Sequence, residues 1–166
     1  MKVLAIDPGY GRCGVAIVER DGVKNVLIYS ECIETSAEED FAERLQQVVR
    51  ACERLVKAHA PDCIAMEKLF FAKNQKTAMR VAEVRGALLS LAGSTAIPVF
   101  EYSPGEVKSA AAGSGSADKT QVAKMLHALV KIDKVIRHDD EYDAIAIGVT
   151  HLARSRSASP RTDARV

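Results

Sequence analysis

The chain has 166 residues, of which 48% are hydrophobic and 27% charged, with a net charge of +1 at pH 7. This composition suits one folded domain with a full core and excludes a disordered or fibrous protein. No apolar stretch is long enough to cross a bilayer and the N-terminus is not a secretory signal, so we expect a cytoplasmic protein without a membrane partner.

The first three predicted elements are strands rich in Val and Ile. They cover residues 2–7, 14–19 and 26–33, and the turn signals Pro8-Gly9 and Asp21-Gly22 separate them. Because the connections are short, we expect an antiparallel meander.

The rest of the chain alternates helices and strands. Ser36 followed by Glu39 predicts a capping box at the start of a helix, and Pro61 lies just beyond the end of that helix. The later elements are predicted as a strand at 63–67, a helix at 75–92, a strand at 97–102, helices at 104–111 and 117–131, and a last helix from Asp139 or Asp140 to about Arg154.

The order βββαβαβ followed by helices predicts an α/β fold with a five-stranded mixed sheet and helices on both faces. We expect one domain over residues 1–153 and a disordered tail over 154–166. The tail carries four Arg and one Asp, which leaves a net charge of −2 on residues 1–153. Nucleic-acid binding would therefore use a local basic patch rather than a global positive field.

Carboxylates occur where a core should be apolar. Asp7 ends the first strand, Glu67 ends the fourth, and Asp143 precedes a run that is apolar on every side, three residues after Asp140. If the first and fourth strands pair, these acids converge. A buried set of carboxylates needs compensation, and oxygen ligands suit Mg²⁺ or Mn²⁺. Two such ions about 3.5–4 Å apart assist in-line displacement at phosphorus.

Simpler interpretations exist for each acid. Asp7 before Pro8-Gly9 suits a turn, Asp139 or Asp140 suits an N-cap, and Glu67 suits a solvated strand end. The stretch "DPGYGRCG" also resembles the phosphate-binding turn of actin-like ATPases. That fold requires two lobes around one nucleotide, and 166 residues are too few. The four cysteines lack C-x-x-C spacing, so free thiols are favoured over a zinc or disulfide site.

Several segments together resemble the RuvC family of bacterial Holliday-junction resolvases, within the RNase H-like superfamily. They are "AIDPG" (5–9), "IAMEKLFFAKN" (64–74), "PVFEYSPGEVK" (98–108), "GSADKTQV" (115–122) and "DEYDAIAIGVTH" (140–151). The resemblance covers residues 2 to about 152. It implies four acidic metal ligands: Asp7, Glu67, Asp140 and Asp143. Asp139 is an alternative to Asp140, and His138 is close.

The resemblance also implies an activity. Each protomer of a homodimer would cut one of two opposed strands in a four-way DNA junction, leaving a 5′-phosphate and a 3′-OH. Two Mg²⁺ or Mn²⁺ ions per site and a branch-migration helicase partner are implied in the same way. Two rivals stay open: another RNase H-like nuclease acting on branched or hybrid nucleic acid, and a junction-binding module without catalysis.

A basic and aromatic segment follows Glu67 directly. Lys73, Lys76 and Arg80 recur at helical spacing and predict a stripe that contacts phosphates, although such lysines also serve solubility. The resemblance assigns Phe70 to base stacking, against the alternative of packing in the core or dimer interface. The predicted DNA-binding set is Phe70, Lys73, Asn74, Lys76, Arg80, Lys108 and Lys119.

Lys119 carries an additional prediction. It begins a predicted helix, where the helix dipole disfavours a cation, so a functional reason for a lysine there is favoured over an ordinary first-turn lysine. A lysine beside the scissile phosphate would offset charge in the transition state, and we therefore count Lys119 among the catalytic residues.

Overall fold

The computed structural model describes residues 1–22, 24–69, 75–113, 115 and 117–157. The predictions for Phe70, Lys73, Asn74 and the tail from 158 onward lie outside the described residues. The strands are β1 (Lys2–Asp7), β2 (Arg12–Asp21), β3 (Lys24–Glu34), β4 (Cys63–Glu67), β5 (Val99–Tyr102) and β6 (Val130–Lys131). The helices are α1 (Phe41–His59), α2 (Gln75–Ser94), α3 (Pro104–Ala112), α4 (Lys119–Leu129) and α5 (Asp139–Ser157).

The strands form one mixed sheet in the order β5-β4-β1-β2-β3-β6. The first three strands pair antiparallel, as the short turns predicted, and β4 and β5 add in parallel next to β1. β1 is therefore an inner strand. Both its faces are buried, with Val3 and Ala5 on one side and Leu4 and Ile6 on the other.

Helices cover both faces of the sheet, as predicted. The face that carries Val3 and Ala5 packs against α5, with Ile145, Ile147 and Leu152 among its buried residues. The opposite face packs against α1 and α2. α5 approaches the sheet closely at Gly148, where an added Cβ would lie 2.7 Å from Val18 Cγ2. The last helix is thus a central packing element.

The predicted number of five strands is wrong by one. Val130 and Lys131 were predicted as the end of a helix, but they form β6, which pairs in parallel with β3 at Asn25 and Val26. Two residues give no period by which a strand can be distinguished from a helix end. Tertiary pairing therefore decided their conformation.

The predicted capping box at Ser36 and Glu39 is also wrong. α1 begins at Phe41, and the Ser36 hydroxyl accepts from the amide of Glu38 in a turn before the helix. The Glu39 carboxylate instead accepts from the Gln47 side chain, at 2.8 Å. Capping boxes do form at the starts of α3 and α4.

Two further expectations concern the chain end and the cysteines. α5 continues to Ser157, so residues 154–157, which were assigned to a disordered tail, are helical. All four cysteines are free thiols, as the spacing predicted. Within the described part of the chain, no helix combines the length and apolarity needed to span a bilayer.

Candidate active site

Two of the predicted acids end adjacent parallel strands. Asp7 is the last residue of β1 and Glu67 the last of β4, and the two strands pair in register up to Ile6 and Met66. Parallel strands finish at the same edge of a sheet, so the two carboxylates are neighbours there. The sequence analysis made this convergence depend on the pairing of the first and fourth strands, and β1 and β4 do pair.

The first turn of α5 brings the other two acids to the same edge. Asp7 pairs with Gly14 across the β1–β2 ladder, and α5 passes directly over that glycine. A Cβ on Gly14 would lie only 1.8 Å from the main-chain oxygen of Asp140. Gly14 therefore makes room for the helix start that carries Asp140 and Asp143, a role that the sequence reasoning missed.

The acids are coupled electrostatically around Asp7. Burial, and then the charges of Glu67, Asp143 and Asp140, raise the pKa of Asp7 to about 8, against a smaller opposing effect of Lys119. Burial and Asp143 likewise raise the pKa of Glu67. Burial also raises the pKa of Asp143, although Lys119 opposes the shift. A carboxylate held in this way favours a proton or a cation.

Two basic side chains compensate the cluster in part. Arg12 Nε lies 3.2 Å from Asp140 Oδ2, and Lys119 Nζ lies 3.2 Å from Asp139 Oδ2 and 3.7 Å from Asp143 Oδ2. Partial burial lowers the pKa of Lys119, but the hydrogen bond to Asp139 and the nearby carboxylates outweigh burial and raise it. Lys119 therefore stays protonated beside the acids.

Asp139 and Asp140 differ in their environments. The Asp139 side chain is 69% exposed and bonds to Lys119, whereas that of Asp140 is 23% exposed. Asp140 Oδ2 is buried and, despite its ion pair with Arg12, makes no well-directed hydrogen bond. Of the two, Asp140 is the carboxylate that faces the cluster.

The donor set fits a hard divalent cation. It consists of carboxylate oxygens, which Mg²⁺ and Mn²⁺ prefer, and it includes the orphaned Asp140 Oδ2 and an Asp7 that burial and neighbouring charges keep from ionising freely. Among the described residues, however, no three Asp, Glu, His or Cys side chains stand in a closed ligand arrangement. Asp140 and Asp143 are instead in ion pairs with Arg12 and Lys119.

The other predicted DNA-contacting residues lie at differing distances from the acids. Lys108 is exposed on α3. Its charge partly opposes the rise in the pKa of Glu67, so Lys108 lies near the site. Lys76 is exposed in the first turn of α2. The Arg80 guanidinium lies 3.9 Å from the Phe41 ring centroid and 3.0 Å from Glu83, so packing already engages it.

A cavity of about 210 Å³ adjoins Glu67 on the side that faces α2. Pro8, Leu69, Thr77 and Val81 contribute to its walls. Arg85 also lines it, but forms a half-buried ion pair with Glu101 of β5. This open space lies next to Glu67 on the side opposite α5.

A buried polar network that sequence reasoning missed holds the start of α5 against β3. Glu141 is 5% exposed, and its Oε1 accepts from Ser30 Oγ and Lys134 Nζ, both at 2.6 Å. Lys134 also donates to the Ser30 carbonyl at 2.7 Å. The only signal in the sequence was an acid beside Asp140, which gave no indication of a buried partner.

A mixed sheet of this order, with carboxylates at the ends of β1 and β4 and at the start of α5, is typical of the RNase H-like fold. The sequence model of the family described as "Crossover junction endodeoxyribonuclease RuvC" matches residues 3–151. The chain therefore belongs to the RuvC family of Holliday-junction-resolving endonucleases, which are metal-dependent.

Individual relatives agree with this assignment. Crossover junction endodeoxyribonuclease RuvC of Thermosipho melanesiensis is 42% identical over 147 residues, covering 89% of this chain and 94% of that protein. The structure of T. thermophilus RuvC in complex with a Holliday junction substrate is similar with a TM-score of 0.88 and 32% identity, covering 95% of this chain and 96% of that one. The yeast mitochondrial Holliday junction resolvase Ydc2, 19% identical, shares the fold with a TM-score of 0.66, over 89% of this chain and 76% of its own.

Proposed function

We propose that this chain resolves four-way DNA junctions by paired, symmetric nicks, and that Asp7, Glu67, Asp140 and Asp143 hold two Mg²⁺ or Mn²⁺ ions. The observation that carries the proposal is the coupling of these acids around Asp7, whose pKa is raised to about 8. Asp7 on the inner strand is central, and Glu67 and Asp143 flank it. We assign Asp140 rather than Asp139 as the metal ligand because the Asp140 side chain is less exposed and faces the cluster.

Each group has a distinct task in hydrolysis. The four carboxylates would hold the ions, which when bound would compensate charge on the phosphate and lower the pKa of a water molecule. Lys119 remains protonated next to Asp143 and offsets negative charge that develops at phosphorus. Lys108 adds positive charge on the Glu67 side. Water adds to phosphorus and the bond to the 3′ oxygen breaks, leaving a 5′-phosphate and a 3′-OH.

A homodimer suits this activity, because two equal sites match a junction with two-fold symmetry. α2 offers a surface for such contact. Met79 on this helix is 68% exposed, and a Cβ added at Gly86 would meet nothing within 4 Å. A second helix can therefore approach this face closely. The branch-migration helicase partner is proposed from the family resemblance, and the cytoplasmic location from the amino-acid sequence.

The test is a synthetic four-way junction incubated with the protein in EDTA or in Mn²⁺. We expect symmetric nicks in two opposed strands, only with Mn²⁺, and ends that a ligase can seal. Asp143→Asn, prepared identically, should bind the junction without cutting it and so exposes any contaminating nuclease. Binding without nicks by the unmodified chain would favour a non-catalytic module. Equal cleavage of unbranched duplex or of hybrid would favour another RNase H-like nuclease.

Phe70 is tested in the same assay. We propose that it stacks on an unpaired base at the crossover, so Phe70→Ala should reduce cleavage while the dimer persists. Stacking of this kind contributes about 1–3 kcal/mol per base, which corresponds to a 5- to 150-fold loss. Dissociation of the dimer would show instead that Phe70 packs at the interface.

A further inference from the structure

A second buried polar network joins α5 to the sheet at the end of the helix far from the acids. His151 is 4% exposed, with its Nδ1 2.8 Å from the Tyr102 hydroxyl and its Nε2 3.2 Å from Cys63 Sγ. The Phe100 ring covers the imidazole at a centroid distance of 4.6 Å. Both ring nitrogens thus have partners on β4 and β5.

The imidazole of His151 is neutral. Burial, and then the charge of Arg20, lower its pKa to about 4. A neutral imidazole donates from one nitrogen and accepts at the other, and a hydroxyl or thiol can do either. Both tautomers therefore satisfy both bonds. The network acts as a structural contact between helix and sheet rather than as a proton carrier.

The His151 network and the acidic site are separated by similar distances along α5 and along β4. Cys63 and Glu67 are the first and last residues of β4, about 13 Å apart along a strand. Asp143 and His151 are about 12 Å apart along the helix axis, within about a quarter turn of each other. The elements run in opposite directions, so fixing Cys63 to His151 also fixes Glu67 relative to Asp143.

Tyr102 strengthens this connection on β5. It pairs with Glu67 in the β4–β5 ladder, and its carbonyl accepts from the Lys68 amide at 2.8 Å. The ring of Tyr102 therefore links the helix to the strand position beside Glu67. The hydrogen bonds of His151 reach both the first residue of β4 and the neighbour of its last.

We propose that His151 is a positioning residue for the nuclease reaction: its bonds to Tyr102 and Cys63 set the register of α5 along β4. That register sets the separation of Asp143 from Glu67. A displacement of one residue along the helix axis is about 1.5 Å, and an error of about 1 Å in a reacting geometry costs about 100-fold in rate. This inference rests on the proposed role of Glu67 and Asp143 in holding the metal ions.

The experiment compares His151→Leu with Leu152→Ala in the full chain. Leu152 is the next residue, fully buried and without a polar group, so it controls for lost packing on the same helix. Three quantities are measured: junction affinity in EDTA, the single-turnover cleavage rate in Mn²⁺, and Mn²⁺ binding from the electron paramagnetic resonance of the free ion. Thermal melts give the Tm of each variant, so that losses of activity are compared at known stability.

For His151→Leu we expect junction affinity within two-fold of the unmodified chain, cleavage at least ten-fold slower and Mn²⁺ binding several-fold weaker. Leu152→Ala should keep both the rate and Mn²⁺ binding despite a lower Tm. Tyr102→Phe should show part of the same loss, and Cys63→Ser, which replaces the thiol by a hydroxyl that can make the same hydrogen bond, should show little. These two variants decide the outcome if His151→Leu does not fold.

Normal cleavage by His151→Leu, or an equal loss in Leu152→Ala at the same Tm, would overturn the positioning role. Asp143→Asn in the same series separates this failure from failure of the proposed function. If Asp143→Asn cuts normally, the assignment of the metal site fails. If it is inactive while His151→Leu cuts normally, only the inference about His151 fails.

Discussion

Replacing Asp7 by Asn should stabilise the metal-free protein while abolishing cleavage. The reason is the environment of the carboxylate, where burial and then Glu67, Asp143 and Asp140 raise its pKa from an ordinary 3.8 to about 8. The folded state thus favours the protonated form. Ionising Asp7 in the fold costs free energy that an uncharged amide does not incur.

The magnitude follows from linkage between protonation and folding. The contribution of Asp7 to stability is fully present below pH 3.8 and is lost as the pH rises to about 8. The loss is about 1.4 kcal/mol for each pH unit in that window. It reaches on the order of 5 kcal/mol at pH 8, which corresponds to roughly 10–20 °C in Tm for a chain of this size.

The assay is thermal and urea unfolding in EDTA between pH 5 and pH 9, followed by far-ultraviolet circular dichroism. Asp7→Asn should be increasingly more stable than the unmodified chain toward pH 8, and the difference should level off above it. Asp21→Asn is the matched control, because Asp21 is exposed in the β2–β3 hairpin. It should change stability by less than about 0.5 kcal/mol.

Added Mn²⁺ should narrow this difference in stability. At 100 times its dissociation constant, a cation that binds only the folded state adds about 2.7 kcal/mol. The unmodified chain should gain this amount and Asp7→Asn much less. If Asp7→Asn shows the same dependence on pH and Mn²⁺ as the unmodified chain, Asp7 does not belong to a desolvated acidic cluster and the reasoning fails.

Three further comparisons of variants test the same edge of the sheet. Asp140→Asn should abolish Mn²⁺-dependent junction cleavage and Asp139→Asn should reduce it only moderately; the opposite ranking in a single-turnover assay would reassign the ligand. Lys119→Ala should slow single-turnover cleavage about 10- to 100-fold with junction affinity within about three-fold, since one charge near the reacting phosphate accounts for a few kcal/mol; a parallel loss of affinity would make Lys119 a binding residue. Gly14→Ala should destabilise by about 1–3 kcal/mol and reduce cleavage, because its Cβ meets the Asp140 carbonyl, whereas Gly105→Ala, with open space around it, should be near neutral in urea unfolding.

The sequence predicted that Asp7 and Glu67 would meet if the first and fourth strands paired. Both lie at the ends of apolar runs, and the short turns after the first two strands required an antiparallel meander. Only a strand that returned through a helix could then pair in parallel with β1. Loop length and periodicity thus predicted the meander and a parallel partner strand, and the structure supplied the remaining condition, that β4 is the strand beside β1.

The contacts that orient the acids could not be predicted in the same way. Arg12 and Asp140 are 128 positions apart, and Lys134 contacts Ser30 from 104 positions away. Neither pair leaves a periodic or local signal. β6 has the same difficulty, since two residues pair with β3 only because α4 delivers them there. Sequence patterns predict individual helices and strands, whereas these contacts and the pairing of β6 depend on how the helices and strands pack together.

The contacts of α5 show how the fold maintains an acidic cluster whose charge repulsion destabilises the folded state. At its start, Glu141 is bound by Ser30 and Lys134, and at its far end His151 is bound by Tyr102 and Cys63. Between these two anchors the buried face of the helix packs closely on the sheet. Repulsion among the carboxylates favours movement of the helix away from β1 and β4, and anchors at both ends resist tilting as well as sliding. Weakening either anchor should therefore impair cleavage before it impairs junction binding, because the residues proposed to bind DNA are exposed cations, whereas the proposed cleavage depends on the separation of the acids.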